Sequence, residues 1–442
     1  MYRAIVAVLA FSLALVQSNA ADLPRRPSFG ASLTANIPDA TRSAQKLSAG
    51  EGLLIVAVLP GLSAEAAGMT AGDIVVALDG RKISVVADII TVTRAHSVGD
   101  TIPVGYVRNG ARKTGSLLLK GLQFETAGDL DVVYDAVAVG AATRRVIITR
   151  PRGSGRFPAV LLVGGIGCYS FDAPLNDKDV YRSLLYALTR QGLVTMRVEK
   201  SGMGDSTGTP CSDVDLEIEA SGYRAGLKML KSLTYVDARR SFILGHSIGG
   251  VVGPMVAAKE PVRGLVVMET LGMTWFEYEL INTRRQLKLG GASPIEIGAQ
   301  LMLKEWCMHR LLIERTPRAD ILKAKPDCAD HMEYPASDIY VQQAAAQNLP
   351  ALWEKSKKAD VAVIYGAADF VTGVDESKAV VDAVNAARAG GGTYIEIPDM
   401  DHYLVETANQ AASLQRVQSG GAGGLHPRLA SIIGDWLKAK AR

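Results

Sequence analysis

Short apolar runs separated by glycine-rich or charged turns recur along most of the chain, and their spacing divides it in two. In the first part Gly52–Val58 reads as a strand and Pro60–Gly68 as a turn leading into a short helix. Ala71–Gly80 reads as a strand closed by an Asp-Gly turn. Val85 to His96 carries apolar residues at helical spacing, and Ile102–Arg108 and Lys113–Leu119 flank Asn109-Gly110 as a hairpin. A short connection near Gly121–Asp129 leads to a second hairpin, Asp131–Val139 with Arg144–Arg150. Buried strands are then expected at Ala159–Val163, Val194–Val198, Ser241–Leu244, Leu265–Met268, Val361–Tyr365 and Thr393–Ile397. Helical segments such as Tyr181–Gln191, Ile218–Ser232 and Asp375–Ala389 separate most of them. That alternation predicts an α/β domain, a mostly parallel sheet with helices on both faces. Residues 273–350 interrupt it with helical, charged sequence, in the position of a lid between two late strands.

Residues 21–50 are polar and mixed, with Pro24, Pro27 and Pro38. Ahead of them, residues 1–20 read as an export signal. Arg3 supplies charge, Ala4 to Val16 form the apolar run, and Ser18-Asn19-Ala20 places small residues for cleavage after Ala20. The alternative is an uncleaved anchor helix, but the run is shorter than the roughly 20 residues a span needs. No cysteine follows it to carry a lipid, and no other segment has the length and apolarity of a span. The expected location is periplasmic or extracellular. The length of 442 residues suggests two or three domains. A net charge of +3 with no basic stripe argues against nucleic acid as a partner. Cys168, Cys211, Cys307 and Cys328 allow three pairings in an oxidising compartment, and their spacing to histidines does not suggest zinc. No metal or organic cofactor is implied.

The pattern Gly-x-Ser-x-Gly occurs twice, so the motif alone selects neither serine. Gly204-Asp-Ser206-Thr-Gly208 sits in a run of glycines and small polar residues with no helix after it, which suits a tight structural loop. Gly245-His-Ser247-Ile-Gly249 directly follows the Ser241–Leu244 strand and directly precedes a helix from Val251, with Pro254 in its first turn. Strand, sharp turn and helix are what an exposed nucleophilic serine requires. Ser247 is therefore the candidate nucleophile.

Two resemblances follow from these residues. Gly52-Leu53-Leu54-Ile55, Ala66-Ala67-Gly68, Gly72-Asp73-Ile74-Val75 and Arg108-Asn109-Gly110, with a leading strand near Ser28–Leu33, make residues 28–121 resemble a PDZ domain of the bacterial envelope proteases. A PDZ domain is a small β-rich α+β fold. The resemblance implies an extended peptide or protein C-terminus added beside Gly52, Leu53, Leu54 and Ile55, or else a domain used for packing. Residues 130–442 resemble the α/β-hydrolase superfamily. Pro158–Cys168, with Gly164-Gly165-Ile166, looks like the third strand and its oxyanion loop, and Arg197–Gly208 like the fourth strand and its glycine turn. Gly164-Gly165 replaces the usual His-Gly, and Glu199-Lys200-Ser201 the usual Asp-x-Arg.

The superfamily's order of Ser, then Asp or Glu, then His places the base downstream of Ser247. His402, just after the Thr393–Ile397 strand, is the expected base, with His426 its rival. His96 falls in the PDZ segment, His309 and His331 fall in the lid, and His246 reads as a neighbour of the elbow. Asp369, in Gly366-Ala-Ala-Asp369, is the expected orienting acid, ahead of Asp375, Asp399 and Asp401. The oxyanion donors are expected to be the N–H groups of Ile248 and Ile166. The fold makes the strands before Cys168 and Cys211 neighbours. That implies a Cys168–Cys211 disulfide pinning the oxyanion loop and leaves Cys307–Cys328 to staple the lid. Trp275, Phe276, Trp306 and Trp353 line an acyl pocket or form lid core. The implied activity is hydrolysis of a carboxylic ester through an acyl-enzyme. The alternatives are an aminopeptidase or dipeptidyl peptidase of the same fold, and a non-catalytic PDZ peptide-binding protein.

Overall fold

The computed structural model describes residues 23–442, so the expected signal segment lies outside the described residues. The N-terminal unit holds β1 (Pro27–Ser28), β2 (Ala31–Thr34), β3 (Leu53–Val58), β4 (Ile74–Leu78), β5 (Arg81–Lys82), β6 (Thr101–Arg108), β7 (Ala111–Leu118) and β8 (Lys120–Gly121). Its main sheet runs β2-β3-β4-β6-β7, with β5 on β4, and β1 pairs with β8. The two predicted tight turns are present. Asp79-Gly80 and Asn109-Gly110 both take positive φ at both positions, which only such residues adopt at low cost. The helix Val86–Arg94 turns Ile89 and Val92 into a core shared with Leu53, Ile55, Val75 and Leu117. A short helix at Asp39–Ala44 stands in the segment read only as polar.

The topology corrects the expected peptide groove at Gly52, Leu53, Leu54 and Ile55. β3 is an interior strand. Leu53 and Leu54 pair with Val75 and Ile74 of β4, and Leu54 with Thr34 of β2. Gly52 N–H donates to Ile83 O and Ile55 N–H to Asp73 O, while Leu53 and Ile55 are buried. These backbone groups have no free edge to offer. The sheet's edge beside β3 is β2.

The second unit contains β9 (Leu130–Val139), β10 (Ala142–Pro151), β11 (Phe157–Val163), β12 (Val194–Val198), β13 (Val236–His246), β14 (Gly264–Met268), β15 (Asp360–Gly366) and β16 (Gly392–Ile397). They form one eight-stranded sheet in the order β16-β15-β14-β13-β11-β12-β10-β9. The β9–β10 and β10–β12 pairs are antiparallel and the rest are parallel. β11, β12, β13, β14 and β15 bury nearly every residue, as strands covered on both faces must. The helix Val180–Arg190 turns Tyr181, Leu184, Leu185 and Leu188 inward and packs with Leu429–Lys440. Leu216–Ser232 packs with Gly249–Lys259. Asp179 and Asp215 cap the first and third of these helices by accepting the N–H of Arg182 and Ile218.

Between β14 and β15 the chain is helical, as expected of a lid: Trp275–Leu289, Pro294–Met308, a π-turn at His309–Ile313, Arg318–Ala324, Asp338–Ala345 and Leu349–Lys355. Cys307 and Cys328 are bonded within it, and Cys168 is bonded to Cys211. Trp353 is core, and Trp275 lines the main cavity. Phe276 and Trp306 pack, partly buried, against the core. No helix among the described residues is long and apolar enough to cross a membrane.

Candidate active site

β13 is a central strand, parallel to β11 and β14, and it ends directly at Ser247. Ser247 holds φ at +56°, the left-handed region that costs a side chain energy. Contacts on both sides hold it there. Its N–H donates to Met268 O at 2.9 Å, and its carbonyl accepts from Thr270 Oγ1 at 2.8 Å. The turn closes only over glycine. A Cβ on Gly245 would lie 2.6 Å from Gly249 O, and one on Gly249 would lie 2.3 Å from Val163 O. The helix Gly249–Lys259 then begins beneath the serine, its N-terminal dipole favouring negative charge there.

Two later loops reach the same point. Ser247 Oγ lies 3.1 Å from His402 Nε2, and His402 Nδ1 lies 2.8 Å from Asp369 Oδ2. Asp369 follows β15 and is fully buried, and it accepts from Val371 N–H, Thr372 N–H and Thr372 Oγ1. Burial alone would raise its pKa; the His402 imidazole and hydrogen bonds from His402, Glu269 and Thr372 outweigh this and hold it down to about 2. Asp369 is thus an anion aimed at one ring nitrogen of His402, whose other nitrogen meets the serine. His246 fixes the base from behind, with Nε2 2.7 Å from the His402 carbonyl and Nδ1 against the Tyr181 hydroxyl. Burial and the neighbouring His402 lower the His246 pKa to about 3, so it stays neutral. Its Nε2–H then donates and its Nδ1 accepts.

The rival candidates go elsewhere. His426 pairs with Asp399 at 3.2 Å, and Asp401 accepts from Tyr403 N–H and Val405 N–H within its own loop and from Ser413 Oγ on the helix Gln410–Gln418. Asp375 lies in the first turn of Val374–Ala387, His96 meets Asp79, and His309 meets Glu314. Ser206 is fully buried and its Oγ accepts from Arg145 N–H, a structural bond.

Ile166 and Ile248 both border the cavity beside Ser247, and a Cβ on Gly165 would lie 3.6 Å from Ser247 Cβ. Among the described residues, neither isoleucine N–H has an acceptor. The Gly165 carbonyl accepts from Lys200 Nζ at 2.7 Å and from Tyr169 OH at 2.9 Å. A trans peptide points its C=O and N–H in opposite directions. Anchoring that oxygen therefore sets the direction of the Ile166 N–H. Lys200 is itself buried and paired with Glu219 at 2.9 Å. Glu199 beside it accepts from Ser170 Oγ, Phe171 N–H and Asp172 N–H through Oε1. Burial pushes its pKa up to about 7. Glu269, at the end of β14, is a second buried carboxyl, raised well above the usual range by burial and by Asp369, and it accepts from Gly366 N–H. Sequence reasoning missed Lys200, Tyr169, Tyr181 and Glu269; only the Glu199-Lys200-Ser201 departure pointed at the first.

The cavity over Ser247 is about 1120 Å³, walled by residues of the helical segment between β14 and β15 such as Trp275, Tyr278 and Tyr334 and by Glu279 and Lys304, which pair at 2.8 Å. His331 also lines it. No cluster of His, Cys, Asp and Glu among the described residues has the arrangement of a metal site.

Comparison with known proteins adds the following. An alpha/beta hydrolase family model matches residues 160–413, and a PDZ domain model matches residues 27–119. Esterase EstD of Thermotoga maritima is 31% identical over 157 residues, which is 36% of this chain and 37% of that protein. The serine protease Do-like HtrA of Lactobacillus helveticus is 34% identical over 100 residues, 22% of this chain and 24% of that protein. The chain thus spans little more than a third of the length of the first of these curated relatives and about a quarter of the second. Among solved structures, Est1E of Butyrivibrio proteoclasticus aligns over 70% of this chain and 98% of its own, with 12% identity and a TM-score of 0.42.

Proposed function

From the premise that the chain belongs to the alpha/beta hydrolase family, we propose that it is an exported enzyme that hydrolyses a carboxylic ester through an acyl-enzyme on Ser247. The observation that carries this reading is the continuous contact from Ser247 Oγ through His402 to Asp369. His402 takes the proton as Ser247 Oγ attacks the ester carbon, and Asp369 stabilises the imidazolium that forms. The oxyanion is met by the Ile248 and Ile166 N–H groups. The alcohol leaves with the proton from His402, and water activated by His402 then releases the acid. The likeness to an esterase over the matched segment favours esters over amides. Two disulfides and a likeness over 97 residues to a probable periplasmic serine protease do/HhoA-like of Haemophilus influenzae support export.

The PDZ domain suggests a peptide partner. With β3 enclosed, the β2 edge is where strand addition would occur. The non-catalytic reading is disfavoured by a site assembled from three separate loops around one strained serine.

The test is labelling of Ser247 by a fluorophosphonate probe together with turnover of p-nitrophenyl esters of graded chain length. Wild type is expected to label and turn over, and Ser247→Ala to do neither. Asp369→Asn should keep the fold and lose about 10⁴-fold in kcat, because the histidine tautomer is no longer held. Aminoacyl anilides assayed alongside decide the peptidase alternative: turnover of these above the esters would overturn the esterase reading. A wild type that does not label removes the serine mechanism altogether.

A further inference from the structure

Beside the glycine turn after β12 lies a crevice of about 700 Å³, away from Ser247. It is bounded by the β9–β10 hairpin around residues 138–142, by Ser201 and Gly208 of the turn, and by one face of the helix Leu216–Ser232 that carries Arg224 and Lys228. Arg144, on β10, lines it and is only 2% exposed, yet among the described residues it makes no ion pair and its buried Nε has no hydrogen-bond partner. Ser201 lines it too, is equally buried, and its Oγ has no partner. Two unmet polar groups from different elements therefore share one opening.

The neighbouring buried arginines show how unusual this is. Arg145 meets Asp205, and Arg197 meets Glu125 through two nitrogens. Of the nearby carboxylates, Glu219 is paired with Lys200, and Glu217 is shared between Arg224 of the rim at 3.5 Å and Lys259 at 2.9 Å. Among the described residues no acidic side chain lines the crevice. A buried guanidinium with no direct ion-pair partner is costly: burial draws the Arg144 pKa downward, and the more distant Tyr223 and Glu219 offset this only in part. Its planar fork fits an oxyanion with two parallel N–H bonds.

We propose that this crevice binds a phosphate group, with Arg144 and Ser201 holding its oxygens and Arg224 and Lys228 supplying further positive charge at the rim. Arg144 and Lys228 have no carboxylate partner among the described residues, and Arg224 shares Glu217 with Lys259, so the excess of positive charge favours a dianion over a single carboxylate. The phosphate can come free, as a soluble monoester or as a lipid headgroup; the chemistry at the site is the same.

The test uses the whole protein and needs no turnover, so it stands apart from the esterase reading. The melting temperature is measured in inorganic phosphate against sodium chloride at equal ionic strength. The expected result is a rise that grows with phosphate and saturates. Arg144→Met should abolish it without lowering the melting temperature in chloride, since no partner is lost. Lys228→Glu, on an exposed helix position, should weaken phosphate about tenfold while leaving the fold intact. Calorimetric titration with inorganic phosphate, glycerol phosphate and phosphatidic acid vesicles then distinguishes the sources by affinity. The proposal is overturned if wild type shows no phosphate-specific rise, if Arg144→Met or Lys228→Glu retains it in full, or if all three titrations are silent.

Discussion

The buried ammonium of Lys200 donates to the Gly165 carbonyl and is balanced by Glu219, and the planar peptide carries that contact through to the Ile166 N–H. Replacing the pair together, as Lys200→Met with Glu219→Gln, removes the anchor without stranding a buried charge. The expected outcome is a fall in kcat of about 10- to 100-fold with KM little changed, since only the tetrahedral state needs the N–H aimed. A boronic acid inhibitor should weaken in parallel. Unchanged kcat and inhibitor affinity in a folded variant would show that Tyr169 alone suffices. Glu199 gives a pH prediction. Its folded pKa, pushed up to about 7 by burial, lies above the unfolded value near 4.5, so protonation favours the folded state. The contribution is complete below about pH 4.5 and is lost as pH rises through about 7, of order 3 kcal/mol in all. The melting temperature should therefore fall between pH 5 and 8, and Glu199→Gln should flatten that slope. Asp172, also raised by burial, adds to it in the same direction. The sequence marks Glu199-Lys200-Ser201 as a departure from the family's turn but does not say what it does. Burial and the direction of a long side chain come from packing, which a motif does not contain.

At the scale of elements, the sharp turn at Ser247 was readable because its evidence is local: an apolar strand, a glycine turn and a helix within a short stretch. Asp369 and His402 each sit just past a strand, and their order along the chain carried them. The choice of β3 as a peptide-binding edge failed for the opposite reason. Whether a strand is interior depends on its partners: the leading strand was readable near Ser28–Leu33, but that β2 pairs with β3 and so takes the edge is a long-range contact that the local pattern does not contain. The Cys168–Cys211 bond links the oxyanion loop to the glycine turn across a separation of 43 residues. Replacing both cysteines by alanine should cost roughly 4 kcal/mol by loop entropy. It should also lower kcat, because the loop that carries Ile166 is freed. The Cys307–Cys328 pair ties only the lid, so its removal should move KM and chain-length preference more than kcat. Thermal unfolding with graded esters checks both, and equal kcat losses in the two double variants would contradict the assignment.

The two domains meet at a buried charge cluster centred on the same glycine turn. Asp205 accepts from Arg25 Nη1 at 2.9 Å, from Arg26 N–H at 2.9 Å and from Arg145 Nε at 3.1 Å. Arg25 also meets Asp172, which accepts from Tyr134 OH at 2.6 Å. Arg94, at the end of the PDZ helix Val86–Arg94, donates to the Gly202 carbonyl. The N-terminal segment and the PDZ helix therefore hold the turn that supplies Lys200 to the oxyanion loop and Ser201 to the crevice. Removing one partner from a buried ionic cluster leaves the others uncompensated, so Asp205→Ala should cost about 3–5 kcal/mol. Because that cost falls on the junction, calorimetry should show the single wild-type transition split in two, with the PDZ domain melting separately. Limited proteolysis should then cut between residues 121 and 130. Since the turn is freed as well, kcat should fall while labelling of Ser247 by a fluorophosphonate persists at a lower rate. A variant with one transition, wild-type proteolysis and wild-type kcat would show that the domains are joined by other contacts and that the cluster does not couple the PDZ domain to the active site.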